Sequence, residues 1–486
     1  MKENRFLLFR IWCVCVPLIL CTICIFGSVG YVFAQQVAPS ATYTVRENDD
    51  FIVGGVVGDT GIVVTYNDEQ IKWWAFDGQM RLASERVLMP ATNRVAVDVY
   101  PYAGKAHFVY THTQAGREVA YLQAYNGMGI PTDSSALLEL PAFNGGEYSL
   151  VLSRSKAYGI VVCSTASKVY VYAYSTTQRT VYFKDEWAVS NPDRLYFIQA
   201  LVDDAGNVWT LGAADHIPSR RNEASLVVRY HHRSSQTTTQ SKVNMQGKLM
   251  CSMVADIDAV SGNLLAGGLW THKWKTYVDG PFYLRLSPEK WDAPILAFSE
   301  IDDSFKTKIT GKNPKKNIEY LQTRKLAIRN DGGMLLLAEH SYYYARQNTP
   351  LIDKPNLSNE NLYYYNDVVL WSLDAQGIPE WHDILRKRQY SQNDDGAYSS
   401  FFLIKGRSKL MVLYNEDLER DIKVVAGIVG AQGIASTRNV VVPPTTNTEP
   451  LYLLLRYAYQ ANPSQLFALH IQGKRFKLVR ITLPAY

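Results

Sequence analysis

The chain has 486 residues and a formal net charge of +5, with 50 Lys and Arg against 45 Asp and Glu. Lys2, Arg5 and Arg10 against Glu3 carry +2 of that, and the remaining 47 basic and 44 acidic residues give no broad field for nucleic acid or an anionic membrane. Only Cys163 and Cys251 of the six cysteines lie beyond residue 34, which excludes a small disulfide-stapled scaffold.

The basic start Met1-Lys2-Glu3-Asn4-Arg5 leads into a run, Ile11 to Ala34, without a charged residue or histidine. With small residues at Val32 and Ala34 before Gln35, this fits an export signal cut after Ala34. The run is also long enough for a retained anchor, which needs about 20 residues. A lipid-attachment site at Cys21 or Cys24 is disfavoured by the bulky Leu20 and Ile23. The expected organisation is a signal peptide over 1–34, a polar leader over 35–49 and a single domain over 50–486. It would be secreted, periplasmic or held at the outer cell envelope, with no stable membrane span after cleavage.

From Phe51 the pattern is one of short β-prone runs between polar turns. Phe51–Val57, Ile62–Tyr66, Ile71–Phe76 and Met80–Leu88 give four strands in about 40 residues, the size of one propeller blade. A second unit reads Val95–Val99, His107–Thr111, Val119–Tyr125 and Ala136–Leu140. The third runs from Tyr148 to Phe183, the fourth from Tyr196 to Tyr230 and the fifth from Leu249 to Phe298. Glu300–Lys316 is the most charged stretch and is expected to be a solvated loop between blades. Thr323–Ile328, Gly333–Tyr343 and Leu362–Leu373 follow, then a segment around Trp381 to Ile384. Further units start at Ser400 and Leu451.

Strands run into turns at Gly78, Gly127, Gly377, Gly433 and Gly473, where positive backbone torsions suit glycine. Because a lone blade leaves apolar faces uncovered, the units must stack on one another and the series must close. The predicted fold is therefore all-β, a seven- or eight-bladed β-propeller, closed if the strand at Phe51 joins the last unit. Two β-sandwich or barrel domains split near 300–316 are the alternative.

Asp374-Ala375-Gln376-Gly377-Ile378-Pro379-Glu380-Trp381, then Arg388-Gln389-Tyr390, Tyr398-Ser399-Ser400-Phe401-Phe402 and Leu410–Asn415, resemble uncharacterised secreted propeller-like proteins of the Bacteroidetes group. The resemblance covers roughly residues 325–420 and implies lineage and fold without carrying over catalytic residues. The Trp-Asp blade ending and the Kelch double glycine are absent.

No Gly-x-Ser-x-Gly elbow, His-Glu-x-x-His motif or phosphate-binding Gly-rich Lys loop is present. Asp256-Ile257-Asp258 with Asn263, and Asn393-Asp394-Asp395, supply oxygen ligands without the spacing of a calcium loop. His216, His231 and His232 suggest a transition-metal cluster and His340 beside Glu339 suggests acid/base work, but His231 and His232 are adjacent and point apart on a strand, so neither a metal nor a cofactor is assigned. Cys163 and Cys251 sit in apolar surroundings as two buried thiols, although one disulfide between them stays open.

Adjacent aromatics alternate between strand faces, so Trp73, Trp74, Tyr343 and Tyr364 are candidates for a rim that grips a partner. Trp381, Arg386 and Arg388 extend that list, and Glu339, Asp367 and Glu380 are the alternative channel carboxylates. The function expected from this is a non-catalytic exported scaffold, holding a protein or cell-surface glycan through loops and channel rim. A carbohydrate-active enzyme or a glycan-binding module is the competing class, the enzyme needing carboxylates about 5–9 Å apart.

Overall fold

The computed structural model describes residues 36–114, 117–140, 146–188, 195–273, 276–311, 317–346, 360–416, 423–442 and 451–484. The export signal expected over 1–34 lies outside them. Alternating apolar residues separated by tight turns fold the described chain into eight antiparallel sheets of four principal strands, seven of them built from strands consecutive within the blade, and a small two-stranded sheet of Tyr277–Val278 and Ile318–Glu319.

Blade 1 comprises Asp50–Val57, Thr60–Tyr66, Gln70–Phe76 and Leu82–Pro90. Blade 2 comprises Arg94–Tyr102, Lys105–Gln114, Arg117–Tyr125 and Pro131–Leu140. Blades 3, 4 and 5 begin with innermost strands Glu147–Leu152, Leu195–Val202 and Leu249–Ile257. Blade 6 comprises Leu321–Ile328, Met334–Arg346, Glu360–Leu373 and Pro379–Leu385, with Gln389–Gln392 added to the third strand. Blade 7 starts at Phe402–Lys405. Blade 8 takes Leu454–Asn462, Gln465–Gln472 and Arg475–Thr482 from the C-terminal end and Gln36–Pro39 as its outermost strand.

The ring is thus zipped by Gln36–Pro39 and by Tyr43–Thr44, both paired with Arg475–Thr482, and Ser40 N–H donates to Leu478 O at 2.8 Å. This corrects two expectations. The stretch expected as a polar leader supplies the closing strands, and the strand holding Phe51 is the innermost of blade 1 rather than a member of the last unit. Gln36–Pro39 was hidden because it is only four residues long and its partner lies at the other end of the chain.

First strands of successive blades meet around the axis. In blades 1, 2, 4, 5 and 6 that strand carries a one-residue bulge among its third to fifth residues, at Gly54, Val97, Ile198, Cys251 and Arg324. An extra residue there bends and twists the strand, turning it round the channel it lines.

Each blade buries both faces against its neighbours. Ile62, Val64 and Trp73 pack toward blade 2, while Val63, Trp74 and Phe76 pack toward blade 8. Hence both members of the Trp73-Trp74 pair are buried, despite pointing opposite ways.

Two turns depart from the glycine rule. At the Gly78 and Gly127 turns the left-handed residues are Met80 (φ 62°) and Gly129 (φ 75°). A Cβ at Gly129 would also stand 2.7 Å from the Trp73 ring.

The charged stretch expected as a loop contains a helix, α1 (Asp303–Thr310). Asp302 caps it by accepting from Phe305 N–H at 2.8 Å, Gly311 ends it at φ 78°, and Phe305 is buried against His382. Cys163 and Cys251 are both free thiols, the first buried and the second half-buried with Sγ donating to Tyr277 O.

Candidate functional site

The second and third strands of blade 6 are the longest in the described chain, 13 and 14 residues, and run past the sheet that carries them. Because the second strand runs antiparallel to Leu321–Ile328, its overhang from Ser341 projects at the channel mouth where that inner strand begins. Register decides what the overhang displays. Tyr342 pairs with Tyr364 and Tyr364 with Tyr390, so three rings share one face. Tyr342 stacks on Tyr364 at 4.7 Å between centroids, Tyr390 follows at 5.1 Å, and Tyr320 adds a fourth ring 5.6 Å from Tyr342.

On the opposite face Tyr343 pairs with Tyr363 and Ser341 with Tyr365. Tyr343 donates its hydroxyl to Asn361 Oδ1 and Tyr363 to Asp395 Oδ1. Tyr320, Tyr343 and Tyr344 are 47, 54 and 58% exposed, which is unusual for rings this large.

At the root of the hairpin lies a buried ionic junction. Glu339 and Lys387 have no exposed side-chain surface, and their Oε1 and Nζ approach to 2.7 Å, out of line for a hydrogen bond. Lys387 Nζ also donates to Gln389 Oε1 (2.7 Å) and Tyr365 O (3.2 Å). Glu339 Oε2 accepts from Arg324 Nε (3.2 Å) and from Ser400 Oγ (2.7 Å) of the segment leading into blade 7. Gln389 Nε2 donates onward to Asn415 O, and Asn415 Nδ2 to Leu453 O, so the network reaches blades 7 and 8. Desolvation pulls the Lys387 ammonium below the ordinary lysine range, with the Glu339 carboxylate opposing that fall.

Around the same mouth Arg324 lies over the Tyr365 ring at 5.8 Å. Arg456 of blade 8 acts on both Asp50 and Tyr365, which sets it at this rim as well. The other mouth is crossed by polar straps. Lys156, in the first turn of blade 3, donates to Tyr459 Oη of blade 8 at 2.6 Å, and Lys405 Nζ lies 3.6 Å from Asp256 Oδ2.

The residues singled out in the sequence distribute unevenly. Tyr343 and Tyr364 stand on the hairpin, one on each face, and Arg388 is exposed beside Tyr342. Trp73 and Trp74 are not rim residues: their indole N–H groups donate to Gly127 O and Thr65 Oγ1 inside blade interfaces. Trp381 is half-buried and donates to Ala431 O of blade 7 at 2.7 Å, an inter-blade link. Arg386 pairs with Asp367 and donates to Lys308 O of α1.

The three candidate carboxylates do not meet as one group. Glu339 faces Lys387 and Arg324, Asp367 faces Arg386 and accepts from the Lys387 backbone N–H at 3.1 Å, and Glu380 stands apart with Arg329 and Ser372. Glu339 pairs with Val368, whereas Glu380 bonds Ser372 four residues along that strand, about 13 Å at the usual rise. His216 is structural, its Nδ1 accepting from Met250 N–H and its Nε2 bonded to Ser225 O. Among the described residues no group of three His, Cys, Asp or Glu side chains is placed to hold a metal ion. Sequence reasoning missed Lys387, Arg324, Ser400, Gln389 and Asn415. Only Lys387, as a basic residue wedged before the buried Gln389, carried a trace of its role.

No protein-family model matches the chain, and no curated protein matches it. Among solved structures, the Dos1 propeller is similar over 91% of this chain and 94% of its own, at 9% identity and a TM-score of 0.43. Prolyl oligopeptidase B from Galerina marginata is similar over 90% of this chain at 7% identity and a TM-score of 0.41, and the match spans 56% of that enzyme's length. A putative 6-phosphogluconolactonase from Bacteroides uniformis matches over 72% of this chain and 84% of its own, at 14% identity and a TM-score of 0.33. At such identities and superpositions none of these gives the chain an activity. The eight-bladed propeller rests on the strand order itself.

Proposed function

We propose that this chain is an exported, non-catalytic binding protein that holds a protein partner at the channel mouth beside the blade 6 hairpin. The observation that carries this is the row of four tyrosines, Tyr320, Tyr342, Tyr364 and Tyr390, anchored at its root by the buried Glu339–Lys387 junction. Tyrosine and arginine offer large contact area with few rotatable bonds and a polar tip, which is why they dominate protein interfaces. A rigid root lowers the ordering cost at binding. The basic, apolar start of the sequence supports export, and no helix among the described residues is long and apolar enough to cross a membrane.

The test is mild crosslinking and affinity recovery from the native cell envelope, with the wild-type chain and a Tyr342→Ala/Tyr364→Ala variant. A stoichiometric protein recovered by the wild type and at least tenfold depleted from the variant is the expected result. Equal recovery by both would move the site elsewhere, and recovery of glycan alone would replace the protein partner with a saccharide.

A further inference from the structure

Between the outermost strand of blade 1 and the facing side of blade 2 lies a groove of about 470 Å³, within the size range of ligand sites. Register fixes which side chains turn into it, because residues opposite one another in a sheet share a face. Arg86 pairs with Trp73, whose ring lies 5.4 Å from Tyr125 of blade 2, so Arg86 points toward blade 2. Gln123 pairs with Phe108, which packs in one cluster with Trp73 and Tyr110, so Gln123 points back toward blade 1. The turn at 127–129 stands at one end, accepting from Trp73 Nε1 at Gly127 O (3.2 Å) and from Ser84 Oγ at Met128 O (3.0 Å). Toward the other end Arg94 donates from Nη1 to Pro90 O at 2.8 Å. Pro90 is four residues beyond Arg86 on one strand, about 13 Å at the usual rise, so the two cations are spread along the groove.

The polar groups on these walls have bonding capacity left over. Among the described residues Arg86 has no hydrogen bond or ion pair and Arg94 has only its bond to Pro90 O. The Gln123 amide and the hydroxyls of Tyr110 and Tyr125 have no hydrogen-bond partner there either, and none of them is sealed from solvent. Burial pushes both hydroxyls up, with Arg94 opposing the rise at Tyr110 and Tyr110 adding to it at Tyr125, so these three groups lie within electrostatic reach along one path. No acidic side chain lines the groove. Glu85 pairs with Trp74 on the opposite face and is held by Lys72, and Glu69 is held by Arg46.

These features select the occupant. Tyr110 and Tyr125 are 8 and 2% exposed, packed on Tyr121 and Trp73, so neither offers an open ring face to a nucleobase. Apolar lining from Leu88, Met89 and Pro131 is too short for an acyl chain, and the volume far exceeds one inorganic anion. Arginine forks match carboxylates, and an amide or phenol both donates and accepts, as sugar hydroxyls do.

We infer that this groove binds a short acidic oligosaccharide of the uronic acid type, with carboxylates on Arg86 and Arg94 and ring hydroxyls on Gln123, Tyr110 and Tyr125. The site is separate from the blade 6 hairpin and does not depend on the partner held there.

A glycan array carrying uronic acid oligosaccharides, their methyl esters and neutral oligosaccharides of equal length tests it. The uronic acid sequences are expected to bind, and the esters and neutral sugars are not. For the tightest binder, calorimetry should give a Kd at least tenfold higher with Arg86→Gln and with Arg94→Gln, and affinity should fall as salt is added. Arg86 is exposed and Arg94 half-exposed, so unchanged unfolding midpoints are expected and serve as the folding control. An array without acidic binders, equal binding of the methyl esters, or unchanged affinity in either arginine variant would overturn the inference.

Discussion

The junction between blades 4 and 5 and that between blades 6 and 7 solve the same packing problem with different chemistry. At the first, Trp209, Leu211, Leu226, Val228, Leu264 and Leu284 meet in one apolar cluster. The second has an equally apolar body, with Leu337, Leu370, Leu385 and Val412, but ends toward the hairpin in Glu339, Lys387, Arg324, Gln389 and Ser400. Apolar contact is non-directional and adapts to small slips. Charged groups bonded in fixed geometry admit one arrangement, at a desolvation cost that a hydrophobic junction avoids. The difference teaches that blade 6 is held by charged groups where its tyrosines are displayed, whereas blades 4 and 5 are joined by apolar contact and by neutral hydrogen bonds, Gln199 with Ala255 and Met250 N–H to His216.

Breaking the ionic junction from one side should give the largest effect. Lys387→Met leaves the Glu339 carboxylate buried beside Arg324 alone, and a loss of roughly 3–5 kcal/mol is expected in urea unfolding. Lys387→Met/Glu339→Leu should recover most of that loss, yet leave the hairpin less ordered in hydrogen exchange. A single variant within about 1 kcal/mol of wild type would show that the network does not fix the junction. At the apolar counterpart, Leu284→Ala is expected to cost about 3 kcal/mol through lost burial and a cavity, without changing exchange in the hairpin. Slower or faster exchange at Tyr342 in that variant would erase the distinction between the two junctions.

The strands were legible because their apolar alternation and turn residues are local signals, and this carried the all-β propeller. Blade number was not, since Gln36–Pro39 is a strand only because Arg475–Thr482 offers it an edge. The helix at Asp303–Thr310 hid behind charge, although the cap Asp302 and the terminator Gly311 were both in view. Of the site, alternation correctly set Tyr343 and Tyr364 apart, but stacking rows need cross-strand register. Trp73 and Trp74 misled because opposite faces of a blade are both interior. The pairing of Glu339 with Lys387 and Ser400 joins positions 48 and 61 residues apart, which no spacing rule links.

Blade 2 permits a finer contrast, with buried ionisable groups rather than a network. His107 is 4% exposed, stacks on Tyr100 at 5.5 Å, and has an unpartnered Nδ1. Desolvation, helped by Arg179 and Lys105 and opposed by a bond to the Tyr102 backbone and by Asp133, brings its pKa down to about 4. The unfolded chain therefore binds the proton first, near its ordinary value of 6.5. Stability is fully present above pH 6.5 and falls as pH drops toward 4, a loss of about 2 kcal/mol by pH 4.5. His107→Phe should abolish that slope, and urea midpoints at pH 7 and 4.5 measure it. A variant that keeps the slope would remove His107 from the account.

Asp98, on the innermost strand of the same blade, titrates with the opposite sign. Desolvation raises its carboxyl to about 6, while the Val99 N–H bond and the field of Lys156 work against the rise. The folded chain holds this proton more tightly than the unfolded one, so the charged carboxylate penalises folding above pH 6. The penalty shrinks between 6 and the ordinary 3.8 and is absent below that. Asp98 is half-buried, which keeps the effect small, so Asp98→Asn is expected to gain about 1 kcal/mol at pH 8 and nothing at pH 3.5. Lys156→Met, which removes the opposing cation together with its bond to Tyr459, should cost stability at pH 8, and less so once Asp98 is replaced. If Asp98→Asn instead destabilises at pH 8, the Lys156 ion is a true partner of Asp98. The strap across this mouth would then be an ionic junction of the same kind as that at blade 6.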